Sequence, residues 1–505
     1  MTHSPTLSHP QWGWSLDFSA AMESNIDTLP WQRVFQDMKE TEDGVPVNQD
    51  EKRQVGHFWL RDPATAPTMK QATDIGDTSS EITEWVQDIA DGRLMIENAH
   101  PITDVIHIGM GGSSLGPEFL VRALATSDGC AIHFLDNVDA HSVVTLLDEL
   151  RDRMSSTLIL VLSKSGSTLE TMMLCDEVFR RFRAVGHRPE RHAVAITQPH
   201  SALAKRATED MWLKTFPIWE WVGGRFSFSS AVGLVTAGLA GVDIHSLLLG
   251  AKEMDQWTRR ESPLENPAAR LAALWYTQRQ GPVTRDLVVM PYADRLKLLS
   301  NVLQQLLMES LGKGTTRMGA QSEQGLAVYG NKGSSDQHAL VQQLIDGQDR
   351  ALVLLVQLYT DGTTGQSNEL SLGDTLQHFL LGTRRALINR NRPVLTWTLP
   401  QLDAAGVGAT LALFERAVGF YASLVDINAY HQPGVEAGKR AAKTYATVQQ
   451  KILELLRLKP QTLHSLYEHL DADLIEIQFI LSRLSRTHRV HSDGDLANPR
   501  YTRTP

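Results

Sequence analysis

From Asp104 onward, short apolar runs alternate with stretches of helical period, and this alternation restricts the fold more than any other feature. Asp104–Gly109, Ile132–Asp136, Thr157–Ser163 and His192–Thr197 read as buried strands, with helical patterns such as Thr168–Phe182 between them. Such a series predicts a parallel sheet covered on both faces. A second series begins near Leu287–Pro291 and continues through Ala351–Leu358 and Val394–Leu399, beyond a helical bridge at about residues 231–280. The expected fold class is therefore α/β, with two doubly wound parallel-sheet domains, each a three-layer αβα sandwich, at residues 91–270 and 271–445. Residues 1–90 read as a helical and irregular N-terminal segment. In open α/β sheets ligands bind at the carboxyl ends of the strands, so chemistry is expected in the loops there.

After residue 445 the texture changes. Val448–Leu458, Leu463–Leu470 and Asp473–Ser485 read as three short helices, followed by a hairpin around Asp493-Gly494-Asp495. Residues 446–505 thus resemble a small winged-helix unit. Arg483, Arg486 and Arg489 give it a nucleic-acid reading, but neighbouring acidic residues offset them, and a structural appendage is expected instead. The whole chain, 505 residues with a net charge of −10, offers no bulk attraction to nucleic acid or anionic membrane. Cys130 and Cys175 are the only cysteines, which excludes a disulfide scaffold or thiolate zinc site and fits a reducing compartment. The N-terminus lacks the basic and apolar regions of a signal peptide, and the apolar runs are strand-sized. A cytoplasmic location without a membrane partner is expected.

Two strands end in loops of small residues. Gly109-Met110-Gly111-Gly112-Ser113-Ser114-Leu115-Gly116-Pro117 departs from a dinucleotide fingerprint, because Ser114 stands where the last glycine belongs. Ser163-Lys164-Ser165-Gly166-Ser167-Thr168 runs from a strand into a helix. Its hydroxyls, amides and lysine form an anion nest assisted by the helix dipole. Either loop alone also reads as a plain strand–helix turn.

Gln305 and Glu309 lie four apart in an apparent helix, Arg295–Leu311, that ends at Gly312. At about 100° per residue, Glu309 shares a stripe with Val302 and Leu298. Partial burial and the negative helix end favour its protonated form, which suits a general base; a structural ion pair is the other reading. In Gly330-Asn331-Lys332-Gly333-Ser334-Ser335-Asp336-Gln337-His338, Ser334 and Gln337 have capping-box spacing, so His338 is expected in a first helical turn. There it would exchange a proton near neutral pH, though a lone histidine is also simply packed or solvated. Arg225 and Lys439 each follow glycine, in Gly223-Gly224-Arg225 and Gly438-Lys439, and surface salt bridges remain open for both.

Together these segments resemble the glucose-6-phosphate isomerase family, built of two sugar-isomerase (SIS) domains. The resemblance covers about residues 50–445 and rests on the ordered set GMGGSSLGP, SKSGSTLET, GGRFSFSS, QQLLMES, GNKGSSDQH and QPGVEAGK. It implies reversible aldose–ketose isomerisation of a hexose 6-phosphate through an enediolate, without metal or cofactor. Glu309 would be the base, and His338 would serve ring opening, with Glu170 orienting it. Lys439 would assist at the ring oxygen, and Arg225 would stabilise the enediolate. Ser163, Ser165 and Thr168 would hold the phosphate near Lys164, while Gly112, Ser113, Gln305 and Gln432 would line the sugar. The family also implies a homodimer with shared active sites. Leu311 and Ser165-Gly166-Ser167 depart from commoner family patterns but remove no acid, base or cation. Two alternatives stay open: an isomerase of mannose 6-phosphate or a 6-sulfonate sugar, and a non-catalytic sugar-phosphate sensor. No dense histidine and carboxylate ligand set is expected from the sequence; His488-x-x-His491 stands alone in the tail, and no metal role is expected there.

Overall fold

The computed structural model describes residues 4–21, 25–97, 100–278, 285–360, 370–494 and 499–504, with the side chains of 436, 437, 439 and 440 outside the description. The chain divides into two compact units, residues 1–431 and 432–505. In the first unit, one sheet has the strand order Ala131–Leu135, Asp104–Ile108, Thr157–Ser163, Ala193–Thr197, Lys214–Pro217, every pair parallel. Successive side chains on a strand point to opposite faces. Val105, Leu158, Leu160 and Leu162 accordingly enter one core, and Ile106, Ile108, Ile159 and Val161 another. With both faces buried, nothing selects for polar residues, which is why these strands are continuous apolar runs.

The second sheet follows the same logic. Asp286–Pro291, Ala351–Leu358 and Val394–Leu399 are parallel neighbours, with Val328–Tyr329 parallel to the first of them. Leu287, Val289, Leu352 and Leu354 join the same large core as the first sheet, whereas Val288, Met290, Val353 and Leu355 face a separate one. This sheet is mixed, and the N-terminal segment is not merely helical and irregular. Ser15–Ala20 pairs antiparallel with Val394–Leu399, and Thr6–Ser8 pairs antiparallel with Ser15–Ala20. The pattern is period two: Leu16 and Phe18 are buried, while Asp17 accepts from Arg384 Nη2 at 2.6 Å. The helices Trp31–Glu42 and Met69–Ala90 complete the segment.

Between the sheets in sequence come three helices, Ala231–Leu239, Ile244–Thr258 and Pro267–Thr277. The helix Ala404–Leu424 is buried along its whole length. Its Arg416 and Glu415 belong to a cluster of buried charges, in which Arg61 donates to Asp255 at 3.0 Å and Arg416 approaches Asp255 at 3.3 Å.

The second unit holds the helices Pro433–Leu458, Leu463–Tyr467 and Leu474–Arg486 and an antiparallel sheet ordered Gln461–Thr462, Arg500–Arg503, Val490–Ser492. A core of its own, including Ile452, Leu466, Ile477 and Leu481, supports this winged-helix-like arrangement. Asp495, in the expected hairpin turn, lies outside the described residues. Among the described residues no helix is long and apolar enough to cross a membrane.

Candidate active site

The strand Thr157–Ser163 delivers its last residue, buried Ser163, into the anion loop. Ser163 Oγ accepts from the Gly166 amide at 3.1 Å and lies 3.1 Å from Thr168 Oγ1. Gly166 has φ +66, the left-handed region that turns the loop tightly. Thr168 is the N-cap of the helix Leu169–Ala184, and its hydroxyl makes no capping bond. Orphan amides of the first turn therefore remain for an anion. Ser165 and Ser167 are exposed and hydrogen-bonded to each other at 3.1 Å. Glu170 stands half-buried in the first turn.

Lys164 turns away from that nest. Its Nζ donates to the carbonyls of Glu220 and Val222 at 2.7 and 2.8 Å. Burial and neighbouring Arg53 push its pKa down to about 8. This lysine thereby tethers the anion loop to the segment three residues before Arg225.

Arg225 sits in the short helical turn Gly224–Phe226, with its side chain 2% exposed. Nε donates to Ser310 Oγ at 2.6 Å, Nη2 donates to the carbonyls of Ala429 and His431, and Nη1 lies 3.5 Å from Glu309 Oε2. Burial lowers its pKa to about 10, so it stays charged at neutral pH. Glu309 lies in the last turn of the helix Leu299–Leu311 and is 28% exposed. Val302 and Leu298 are half-buried too, so this stripe borders a cleft. Gly112, Gln305 and Arg225 line one cleft, and Gln305 and Glu309 line the groove beside it. At Gly112 the backbone of Gly224 passes so close that a side chain there would collide with it. Ser113 is fixed through its carbonyl, 2.7 Å from His107 Nε2.

The residues after Glu309 carry more of the site than the sequence reading assigned. Ser310 anchors Arg225, and Lys313 Nζ donates to the Glu309 carbonyl at 2.6 Å. Burial, then the charge of Arg225, pushes the Lys313 pKa down to about 8. Their signal was position alone, in the run Glu309-Ser310-Leu311-Gly312-Lys313.

The expected capping box at Ser334 does not form. Ser334 has φ 37 and makes no side-chain cap, and the turn Ser335–His338 is a short 3-10 helix with His338 at its end. Gln337 Nε2 is engaged elsewhere, donating to Thr383 Oγ1 at 2.7 Å, and Asp336 instead accepts from the Asn331 amide at 2.7 Å. His338 is exposed, and among the described residues no hydrogen bond or ion pair joins it to Glu309 or Glu170. Gln432 and Lys439 belong to the second unit, and the Lys439 side chain lies outside the described residues.

A carboxylate beside a buried guanidinium, on a two-sheet α/β scaffold with a serine-rich strand–helix loop, meets the needs of aldose–ketose isomerisation, and the relatives of this chain are enzymes of that class. The chain belongs to the phosphoglucose isomerase family, whose model matches residues 21–355 and 367–454. It is 45% identical over 478 residues to the glucose-6-phosphate isomerase of Thermosynechococcus vestitus, spanning 93% of this chain and 90% of that one. The glucose-6-phosphate isomerase of Trichormus variabilis is 46% identical over 480 residues, with 93% of this chain and 90% of the relative covered. The crystal structure of a glucose-6-phosphate isomerase from Chlamydia trachomatis shares the fold, with a TM-score of 0.79 at 23% identity over 88% of this chain and 90% of that one.

Proposed function

We propose that this chain interconverts glucose 6-phosphate and fructose 6-phosphate, a step of glycolysis and gluconeogenesis, in the cytoplasm. The observation that carries the reading is the Glu309 carboxylate, open to a cleft and 3.5 Å from the buried Arg225 guanidinium. A carbon acid beside a carbonyl needs a positioned base and a cation where the oxyanion develops. Glu309 would take the proton from one of C1 and C2 and return it to the other, with Arg225 facing the enediolate oxygen. Ser163, Ser165 and Thr168 would hold the phosphate, Lys164 would keep their loop in register with Arg225, and Gly112, Ser113, Gln305 and Gln432 would line the sugar. The direct test is isomerisation of glucose 6-phosphate by purified protein in the presence of chelator; no fructose 6-phosphate formed would reject the reading.

The anion loop has its own test. Phosphate contacts are largely uniform binding, so replacing Ser163 and Thr168 together with alanine should raise KM much more than it lowers kcat. An unchanged KM would put the phosphate elsewhere.

Ring opening is assigned to His338, oriented by Glu170, with Lys439 assisting at the ring oxygen. The exposure of His338 fits a group that acts in the site of a second copy, so the working unit would be a homodimer with shared sites. Mixed Glu309→Gln and His338→Ala subunits would then form dimers with one intact site. Statistical mixing makes about half the dimers mixed, each with one intact site of two, which predicts recovery of roughly a quarter of wild-type activity. Verified subunit exchange without recovery would place His338 in its own chain's site. The segments 1–90, 91–270, 271–445 and 446–505 remain our functional division, although the second compact unit starts earlier, at Gln432.

A further inference from the structure

Away from the catalytic groups, two histidines and a carboxylate converge at the amino-terminal end of the first sheet. Glu97 lies beyond the helix Met69–Ala90, His187 follows the helix Leu169–Ala184, and His192 immediately precedes the strand Ala193–Thr197. The anion loop is at the opposite, carboxyl end of the neighbouring strand. Glu97 and His187 are separated by 90 residues in sequence, so no local motif announces the group.

His192 is fully buried, and its Nδ1 lies 2.9 Å from the Thr157 carbonyl. A carbonyl only accepts, so Nδ1 carries the hydrogen and Nε2 is the ring position left for another partner. That nitrogen lies 3.3 Å from Glu97 Oε2, and His187 Nδ1 lies 3.2 Å from the same oxygen. The Arg188 amide donates to this oxygen as well, at 3.2 Å, and holds it in place. A histidine whose second nitrogen donates to a backbone carbonyl is the usual outer support of a metal ligand.

The spacing has a further meaning. Bonds of about 2.0–2.2 Å in a tetrahedral zinc site put neighbouring ligand atoms about 3.3 Å apart. Two of the three edges here are already 3.2 and 3.3 Å, and all three ligand atoms lie within 4.8 Å of one another. The His187 side chain is 21% exposed, so it has room to turn and close the remaining edge. The donors, two imidazoles and one carboxylate, suit zinc better than calcium or magnesium, which take oxygen ligands. We propose that Glu97, His187 and His192 form a site for zinc or a similar divalent transition metal, with water as fourth ligand. The ion would pin the connection after the helix Met69–Ala90 to the amino-terminal end of the first sheet. Its role is structural, apart from isomerisation.

The test uses the full-length chain, freed of metal by chelator and titrated with zinc in competition with a chromogenic chelator. The wild type should bind one ion at this site, and a hundredfold excess over Kd should raise Tm by about 3 °C. Glu97→Gln and His187→Ala should each weaken that binding by about tenfold or more, which at the same zinc concentration cuts the rise in Tm by about half or more. Isomerase activity should stay at the parental level in both. Cobalt absorption of the wild type supplies a reading that needs no variant: a visible spectrum of low-coordinate Co²⁺ with nitrogen ligands is expected. Absence of binding by the wild type overturns the proposal, leaving a carboxylate shared by two protonated imidazoles. Equal binding by the wild type and the Glu97→Gln/His187→Ala double variant also overturns it, since the ion would then sit elsewhere.

Discussion

Glu309→Gln is expected to lower kcat by about 10²–10⁴-fold while KM stays near its parental value. Glutamine keeps the length and an oxygen that can accept from Arg225, whose Nη1 lies 3.5 Å from the carboxylate. What it removes is the capacity to take a proton. Glu309 sits at the border of the cleft with a 28% exposed side chain, and the buried Arg225 keeps its other acceptors, Ser310 Oγ and the carbonyls of Ala429 and His431, when the carboxylate is neutralised. Incorporation of solvent deuterium at C2 of the sugar reports the proton abstraction directly. It should fall in step with kcat. Parental exchange in the variant would assign the base to another residue.

Arg225→Ala should cost about 10²–10³-fold in kcat, the range found when a preorganised donor to a developing oxyanion is removed. The guanidinium is held on several sides, by Ser310 Oγ, by the carbonyls of Ala429 and His431, and by Glu309. Such fixing lets the cation meet a developing charge without reorganising. The same contacts make alanine structurally costly, because buried acceptors lose their donor. Arg225→Lys separates the two effects. It keeps a positive charge but cannot reproduce the planar fork, so kcat should still fall, with thermal stability closer to the parent. If either folded variant raised KM alone, Arg225 would be a substrate-binding group without a role in the transition state.

The central strands of both sheets are legible because burial on two faces leaves an unbroken apolar signature. Thr157–Ser163, Ala351–Leu358 and Val394–Leu399 have the predicted bounds, and the others shift by a residue at one or both ends. Lys214–Pro217, a partly exposed edge strand, carries no such signature and was not anticipated. The loops and the helix bearing Glu309 were legible as local punctuation by serine, glycine and helix ends. Contacts made at long range were not. Nothing local reveals that Lys164 bonds to the carbonyls of Glu220 and Val222, or that Ser310 meets Arg225. At Ser334 the spacing suggested a cap, but a positive φ turned the residue away and Thr383 captured Gln337. The strand Ser15–Ala20 escaped notice because six residues with a period of two are a weak signal, and their partner lies near the other end of the first unit.

That pairing also sets a timetable for synthesis. Asp17 is ion-paired with Arg384, 367 residues further along, and Leu16 lies against the strand Val394–Leu399. At about 5–20 residues per second, the ribosome needs roughly 20–70 s to supply the partner after the N-terminal strand has emerged. For that interval Trp14, Leu16 and Phe18, each no more than 2% exposed in the finished fold, have no sheet to cover them. The first sheet can close in the meantime, since all its strands lie between Asp104 and Pro217. The second has to wait, and the strand Ser15–Ala20 is among the last to gain its neighbour Val394–Leu399. A nascent chain stalled before residue 394 would thus present this aromatic segment to chaperones, and one stalled well beyond residue 399 would have withdrawn it.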